Sequence, residues 1–210
     1  MTAREPFNGF SHLFGAVLSV AGLVLLIRRA FNYGSVLHLV AFIIFGISLI
    51  LLYTASALYH LLLISEQVTK VLRYIDHMMI YILIAGTYTP ICLISLRGVQ
   101  GKILLISIWV LAVAGVIVTG FWLNAPRYLS TLIYAVMGWL IIVTLPQLLT
   151  ALTVPGFAWL LIGGVFYTIG AIIYGLKRPN LPSGLGFHEI FHLFIIAGSI
   201  CHYWVIFNFV

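Results

Sequence analysis

Charge is what this chain lacks most. Only 7% of its 210 residues are charged, ten basic against four acidic, while 63% are hydrophobic. A soluble domain must cover itself with polar side chains, and this composition has too few of them. A mean hydropathy of +1.21 therefore names lipid as the solvent for most of the surface. Cysteine is nearly missing as well. Cys92 and Cys201 both sit in apolar stretches and form no C-x-x-C pair, which excludes a disulfide scaffold. The strict alternation of barrel strands is absent, so the apolar runs read as helices. Low-complexity tracts, linkers and a clear internal repeat are absent too. With so few charges, the net +6 reads as loop charge on a membrane protein, with no nucleic acid implied as a partner.

What is present is a series of long apolar runs. Seven helical spans are predicted, at 10–27, 36–63, 75–96, 101–122, 128–149, 157–176 and 186–208. Each is close to the ~20 residues that a bilayer crossing needs. The segments between them, among them ISEQVTKVLRY, NAPR, TALTVPG and KRPNLPSGL, read as loops. The prediction is an all-α integral membrane protein in which residues 1–210 form a single seven-helix domain. No small-residue cleavage site follows the first run, which is therefore expected to be a retained span. Arg4, Lys70, Arg73, Arg127, Lys177 and Arg178 fall on one side, and Arg28, Arg29, Arg97 and Lys102 on the other. Six against four favours a cytoplasmic N-terminus, and an odd span count then puts the C-terminus outside. Pro90 is expected to kink the third span.

Ionisable residues inside such spans are costly and each needs a reason. His12 opens the first span, His60 ends the second, Asp76 opens the third, and His188 and His192 occupy the first turns of the seventh. The up-and-down order of the spans brings all of these to one depth, whichever way the protein is inserted. Ser56 and His60 are four apart and share a helix face, as do His188 and His192. Histidines at span ends are often merely interfacial, and that reading stands beside a sharper one. In the sharper reading, three imidazoles at one depth hold a zinc ion and leave a fourth position to water, with Asp76 near that water. His202 lies ten residues past His192, about 15 Å along the helix, too far to join the same ion. His77 and His202 are expected to line a pore or pack.

As a set in this order, Glu5-x-x-Asn8-x-x-x-His12, Ser56-x-x-x-His60, Asp76, His188-x-x-x-His192 and the later His of "CHYW" resemble the progestin and adipoQ receptor family, specifically its bacterial hemolysin III-type branch. The resemblance covers essentially the whole chain. It implies zinc ligation by His60, His188 and His192, a water-mediated contact from Asp76, and a cytoplasmic N-terminus. It also bears on "HEIFH", residues 188–192, which spells the H-E-x-x-H of zinc proteases. In the family the position of Glu189 is often glutamine, so the zinc site does not require a glutamate there. A residue one past His188 also points about 100° away from it. An intramembrane metalloprotease would add a distant Asp in a Gly-rich or Pro-containing motif, unlike Asp76 in "RYIDHMM". The stretch therefore reads as H-x-x-x-H with an incidental glutamate, for which Lys177, Arg178 or His12 are the expected partners.

Two functions of different classes follow. The resemblance extends to alkaline ceramidases and implies a zinc-dependent lipid amide hydrolase. In it Asp76 would manage the proton of the zinc-bound water, and Ser56 would donate to the developing oxyanion. The other is a regulator of membrane homeostasis or a cytolytic pore, with Zn2+ as a structural tie between helices. Both place the protein in a plasma membrane (the inner membrane of a bacterium), with membrane lipids as partners and the oligomeric state open.

Overall fold

The computed structural model describes residues 4–122, 126–181 and 185–210, and of Arg127 only the backbone. Residues 1–3, 123–125 and 182–184 lie outside the described part, including two residues of the NAPR segment and three of the KRPNLPSGL segment. The described residues are helical, with no strand among them. The helices are α1 (Pro6–Tyr33), α2 (Val36–Leu61), α3 (Glu66–Pro90), α4 (Val99–Phe121), α5 (Arg127–Trp139), α6 (Leu145–Ala151), α7 (Val154–Leu176) and α8 (Phe187–Phe209). A π-helical turn, Ile91–Ser95, extends α3, and a 3-10 segment, Leu140–Thr144, joins α5 to α6. Counted as continuous rods, seven are long and apolar enough to cross a membrane. The chain is thus an all-α protein with seven membrane-spanning helices.

The expected spans recur with shifted ends. The largest shift is at α3, where helix starts at Glu66 instead of residue 75. The segment expected as a loop contains Glu66, Lys70 and Arg73, whose charges hid a helix from an apolar-run criterion. Ser65 caps it, accepting from the Val68 N–H at 3.5 Å. Asp76 consequently lies almost three turns into α3 and does not open it. The segment expected as a loop before the sixth span is also largely helix. Thr153 caps α7, accepting from the Gly156 N–H at 3.4 Å, and Pro155 follows in its first turn, where a missing N–H costs nothing.

In lipid every backbone group must find a partner inside the protein. Helices meet this rule by themselves except where they break, and of the two breaks described here one is met locally and the other from a neighbouring helix. After Pro90 the helix widens, closing on the Leu96 N–H to Ile91 carbonyl bond at 2.8 Å. This is the form that the expected Pro90 kink takes. At the α5-to-α6 break, upstream of Pro146, the Tyr88 hydroxyl from α3 lies 2.8 Å from the carbonyls of Met137 and Gly138. It also accepts the Ile141 N–H at 2.8 Å. One buried phenol therefore reaches three backbone groups at the break, of which the Met137 carbonyl also takes the Leu140 N–H.

α1 packs along α2 and α8, α7 along α8, α2 along α3, and α3 along α4. Close approach of α1 and α8 depends on Gly22, where a Cβ would meet the Tyr203 ring at 2.9 Å. The Tyr203 hydroxyl then donates to the Gly22 carbonyl at 3.0 Å. Most of the outer surface is large apolar side chains, Phe14, Val110, Val143 and Val154 among them, as a lipid-facing surface requires. Replacing Tyr88 by Phe should leave the break unserved and destabilise the detergent-solubilised protein by about 1–2 kcal/mol. Thermal unfolding followed by circular dichroism checks this, and an unchanged melting temperature would count against the bridging role.

Candidate metal centre

His60 stands one residue from the C-terminal end of α2, and His188 and His192 stand on successive turns at the N-terminal end of α8. The two ends meet. The three rings form a nearly equilateral triangle, with centroids 5.1, 4.9 and 4.9 Å apart and planes crossing steeply. One nitrogen from each lies within 4.8 Å of the others, close enough for the three to hold a metal ion. His60 and His192 are each only 1% exposed.

The tie that holds His60 comes from a residue to which the sequence reading gave no role. Glu5 precedes α1, and its carboxylate lies 2.7 Å from His60 Nδ1. Its backbone N–H donates to the His60 carbonyl at 3.0 Å, and Asn8 Nδ2 donates to the same carboxylate at 3.1 Å. The bond from His60 outweighs the opposing effect of partial burial. With Asn8 and the neighbouring imidazoles, it holds the Glu5 carboxyl down at about 2, so it is ionised at neutral pH. A carboxylate on Nδ1 fixes that nitrogen as the protonated one and leaves Nε2 as a lone-pair donor. His60 Nε2 is buried without a protein partner, as is His192 Nδ1. Such orphaned atoms are rare and call for a ligand. This is the chemistry of a metal-binding imidazole set, and the residues fit one.

His12 joins the group. Its ring centroid is 3.8 Å from that of His192, and Tyr53 meets it edge-on at 5.0 Å. It is 3% exposed, and neither ring nitrogen has a partner. The signal for this was present: Glu5, Asn8 and His12 are spaced i, i+3, i+7, so they share one face of a helix.

Asp76 and Ser56 stand outside the three-nitrogen set but on the wall of the cavity that His188 and His192 also line. His77 Nδ1 is 2.7 Å from the Arg73 carbonyl, which turns the ring along α3. Glu189 has a different partner from those expected. Its carboxylate accepts the Gly186 N–H at 2.9 Å, a helix-start bond that glutamine could also make, and leaves Lys177, Arg178 and His12 aside. The glutamate of "HEIFH" is a cap.

The cavity measures about 500 Å³ and runs from the histidines between α3, α5, α7 and α8. Its wall is mainly apolar, with Ile84, Ile133, Leu160 and Phe191 among the lining residues. A volume of this size accommodates a lipid chain or a drug-sized molecule.

A seven-span membrane protein with a largely buried histidine triangle, two of whose rings line an apolar cavity, is the class that fold and site define. The family model described as Haemolysin-III related matches residues 1–203, and the chain belongs to that family. It is 42% identical over 197 residues to the Hemolysin-3 homolog of Bacillus subtilis (strain 168), covering 93% of this chain and 89% of that one. It is 43% identical over 196 residues to Hemolysin-3 of Bacillus cereus, covering 93% and 87%. A more distant likeness, 23% over 229 residues, links it to the human monocyte to macrophage differentiation factor and covers 100% of this chain and 91% of that one. No solved structure matches.

Metal analysis of the purified protein should find about one equivalent per chain, lost in His192→Ala. Glu5→Gln should keep the fold and weaken metal binding by about 10–100-fold in chelator competition. Glu189→Gln should bind as the parent does. Full affinity in the Glu5 variant would show that the carboxylate does not position His60.

Proposed function

We propose that this chain is a zinc protein of the bilayer that hydrolyses lipid amides. One observation carries the reading: two histidines of the triangle, His188 and His192, line the same apolar cavity as Asp76 and Ser56, and that cavity is large enough for a lipid chain. Imidazole sets suit zinc among the available divalent ions. A structural zinc would tie helices equally well, but it would have no need of a cavity beside it.

Bound zinc would supply Lewis acidity toward the amide carbonyl and the attacking water. The chain's own residues do the rest. His60, His188 and His192 hold the ion, with Glu5 aligning His60. The apolar wall takes the acyl chain and keeps bulk water away. Asp76 accepts a proton from the attacking water and passes it to the amine as the C–N bond breaks, yielding a fatty acid and a free amine. Ser56, on the same cavity wall as Asp76, offers its hydroxyl to the oxygen on which negative charge develops. The substrate enters from the membrane itself, and lipids are the partners.

Asp76→Asn separates this reading from a structural zinc. Asparagine keeps size and hydrogen bonding but cannot take a proton, and loss of a general base typically costs about 10²–10⁴ in rate. The expected result is a folded variant with its metal retained and little release of fatty acid from ceramide-like amides. Equal background release by parent and variant across a broad lipid panel would leave the hydrolase reading without support and favour a regulator or pore.

The same reading places the N-terminus and the histidine end at the cytoplasmic face of a plasma membrane (the inner membrane of a bacterium) and the C-terminus outside. A reporter fused after Val210 is expected to behave as external. Cytoplasmic behaviour would overturn this orientation.

A further inference from the structure

We propose that His202, with Tyr167 stacked against it, forms a second polar station in the cavity. It would receive an oxygen function, hydroxyl or keto, carried part-way along a lipid chain. The proposal rests on the lipid reading of the cavity and adds a preference among its occupants.

In the half of the cavity away from the histidine triangle, hydrogen-bonding capacity is almost fully taken up. The polar groups there are used by the protein. The Tyr88 hydroxyl serves the helix break already described. Trp139 Nε1 donates to Thr168 Oγ1 at 2.9 Å, and Thr168 donates to the Gly164 carbonyl at 2.7 Å. Thr87 donates to the Leu83 carbonyl at 2.8 Å. The Tyr167 hydroxyl is 2.8 Å from Ser199 Oγ, which also takes the Tyr53 hydroxyl at 2.7 Å.

His202 is the exception. It lines the cavity, is 8% exposed, and its Nδ1 has no partner. An unpartnered buried nitrogen is costly in apolar surroundings, so its presence among satisfied neighbours points to a ligand that completes it. Its position is held from two sides. The Tyr167 ring lies parallel to it at 5.2 Å and 13°. On α7 only a glycine fits beside it, because a Cβ on Gly163 would fall 2.8 Å from His202 Nε2 and Cδ2.

Neutral imidazole presents a donor or an acceptor at Nδ1 according to tautomer, so it suits a hydroxyl in either state and a keto oxygen as donor. Ten residues along α8 from His192 correspond to about 15 Å. A chain with its carbonyl at the histidine triangle therefore meets His202 well below its head. A saturated chain would pass the station and leave it unsatisfied.

The test uses the metal-loaded full chain in detergent and measures displacement of radiolabelled stearic acid. The competitors are unlabelled stearic acid and hydroxystearic acids with the hydroxyl moved stepwise from near the head to the terminal third. The wild-type protein should bind one mid-chain isomer about three- to tenfold more tightly than stearic acid, the worth of one neutral hydrogen bond. The preference should peak at one position. H202F should bind stearic acid as before and show no such peak. A flat profile in the wild-type protein would overturn the station while leaving the lipid reading intact, and would assign His202 to water. Failure of the wild type to bind stearic acid at all would overturn both.

Discussion

Lipid offers a polar group nothing to bond with, and that constraint organises the whole molecule. Each backbone interruption here is met by a side chain or a local change of helix type. Tyr88 does this for the break between α5 and α6, and a π-helical turn does it after Pro90. Against a background so thoroughly satisfied, the few buried nitrogens without partners become informative. They belong to His12, His60, His192 and His202 in the cavity region, and each faces a question of what completes it.

The triangle of His60, His188 and His192 shows how such a group is built without a dedicated domain. Two helix ends supply the three rings. A third element, the turn before α1, supplies the carboxylate that decides which nitrogen of His60 is available. Because Glu5 bonds His60 through both backbone and side chain, α1 and α2 are locked in register at the depth of the site. The helices are long and apolar, and slide against one another at little cost in hydrophobic energy. Polar ties of this sort set their relative heights.

Much of this was legible in the sequence. Long apolar runs gave the number and order of spans, because a bilayer imposes a length. The i, i+4 spacing of His188 and His192, combined with the alternating direction of the spans, placed His60 beside them. Other features were less visible for physical reasons. The first turns of α3 are amphipathic, and a criterion built on apolar runs reads such turns as loop. The partner of Glu189 is a backbone N–H three residues back, a local cap invisible to a search for opposite charges. Glu5 lies outside any span, so a rule that asks why a polar residue is in lipid never raised it. His12 was placed at the correct depth, but depth alone does not say which way a ring faces.

The three rings have a further consequence for how the protein is made. His60 belongs to the second span and His188 and His192 to the seventh, so the triangle encloses most of the chain. As the spans enter the membrane in order, α1, α2 and Glu5 can meet early, but their imidazole waits until α8 arrives. Any ion held by the three rings would thereby be captured only at the end of synthesis, once the last span has found its place beside the second.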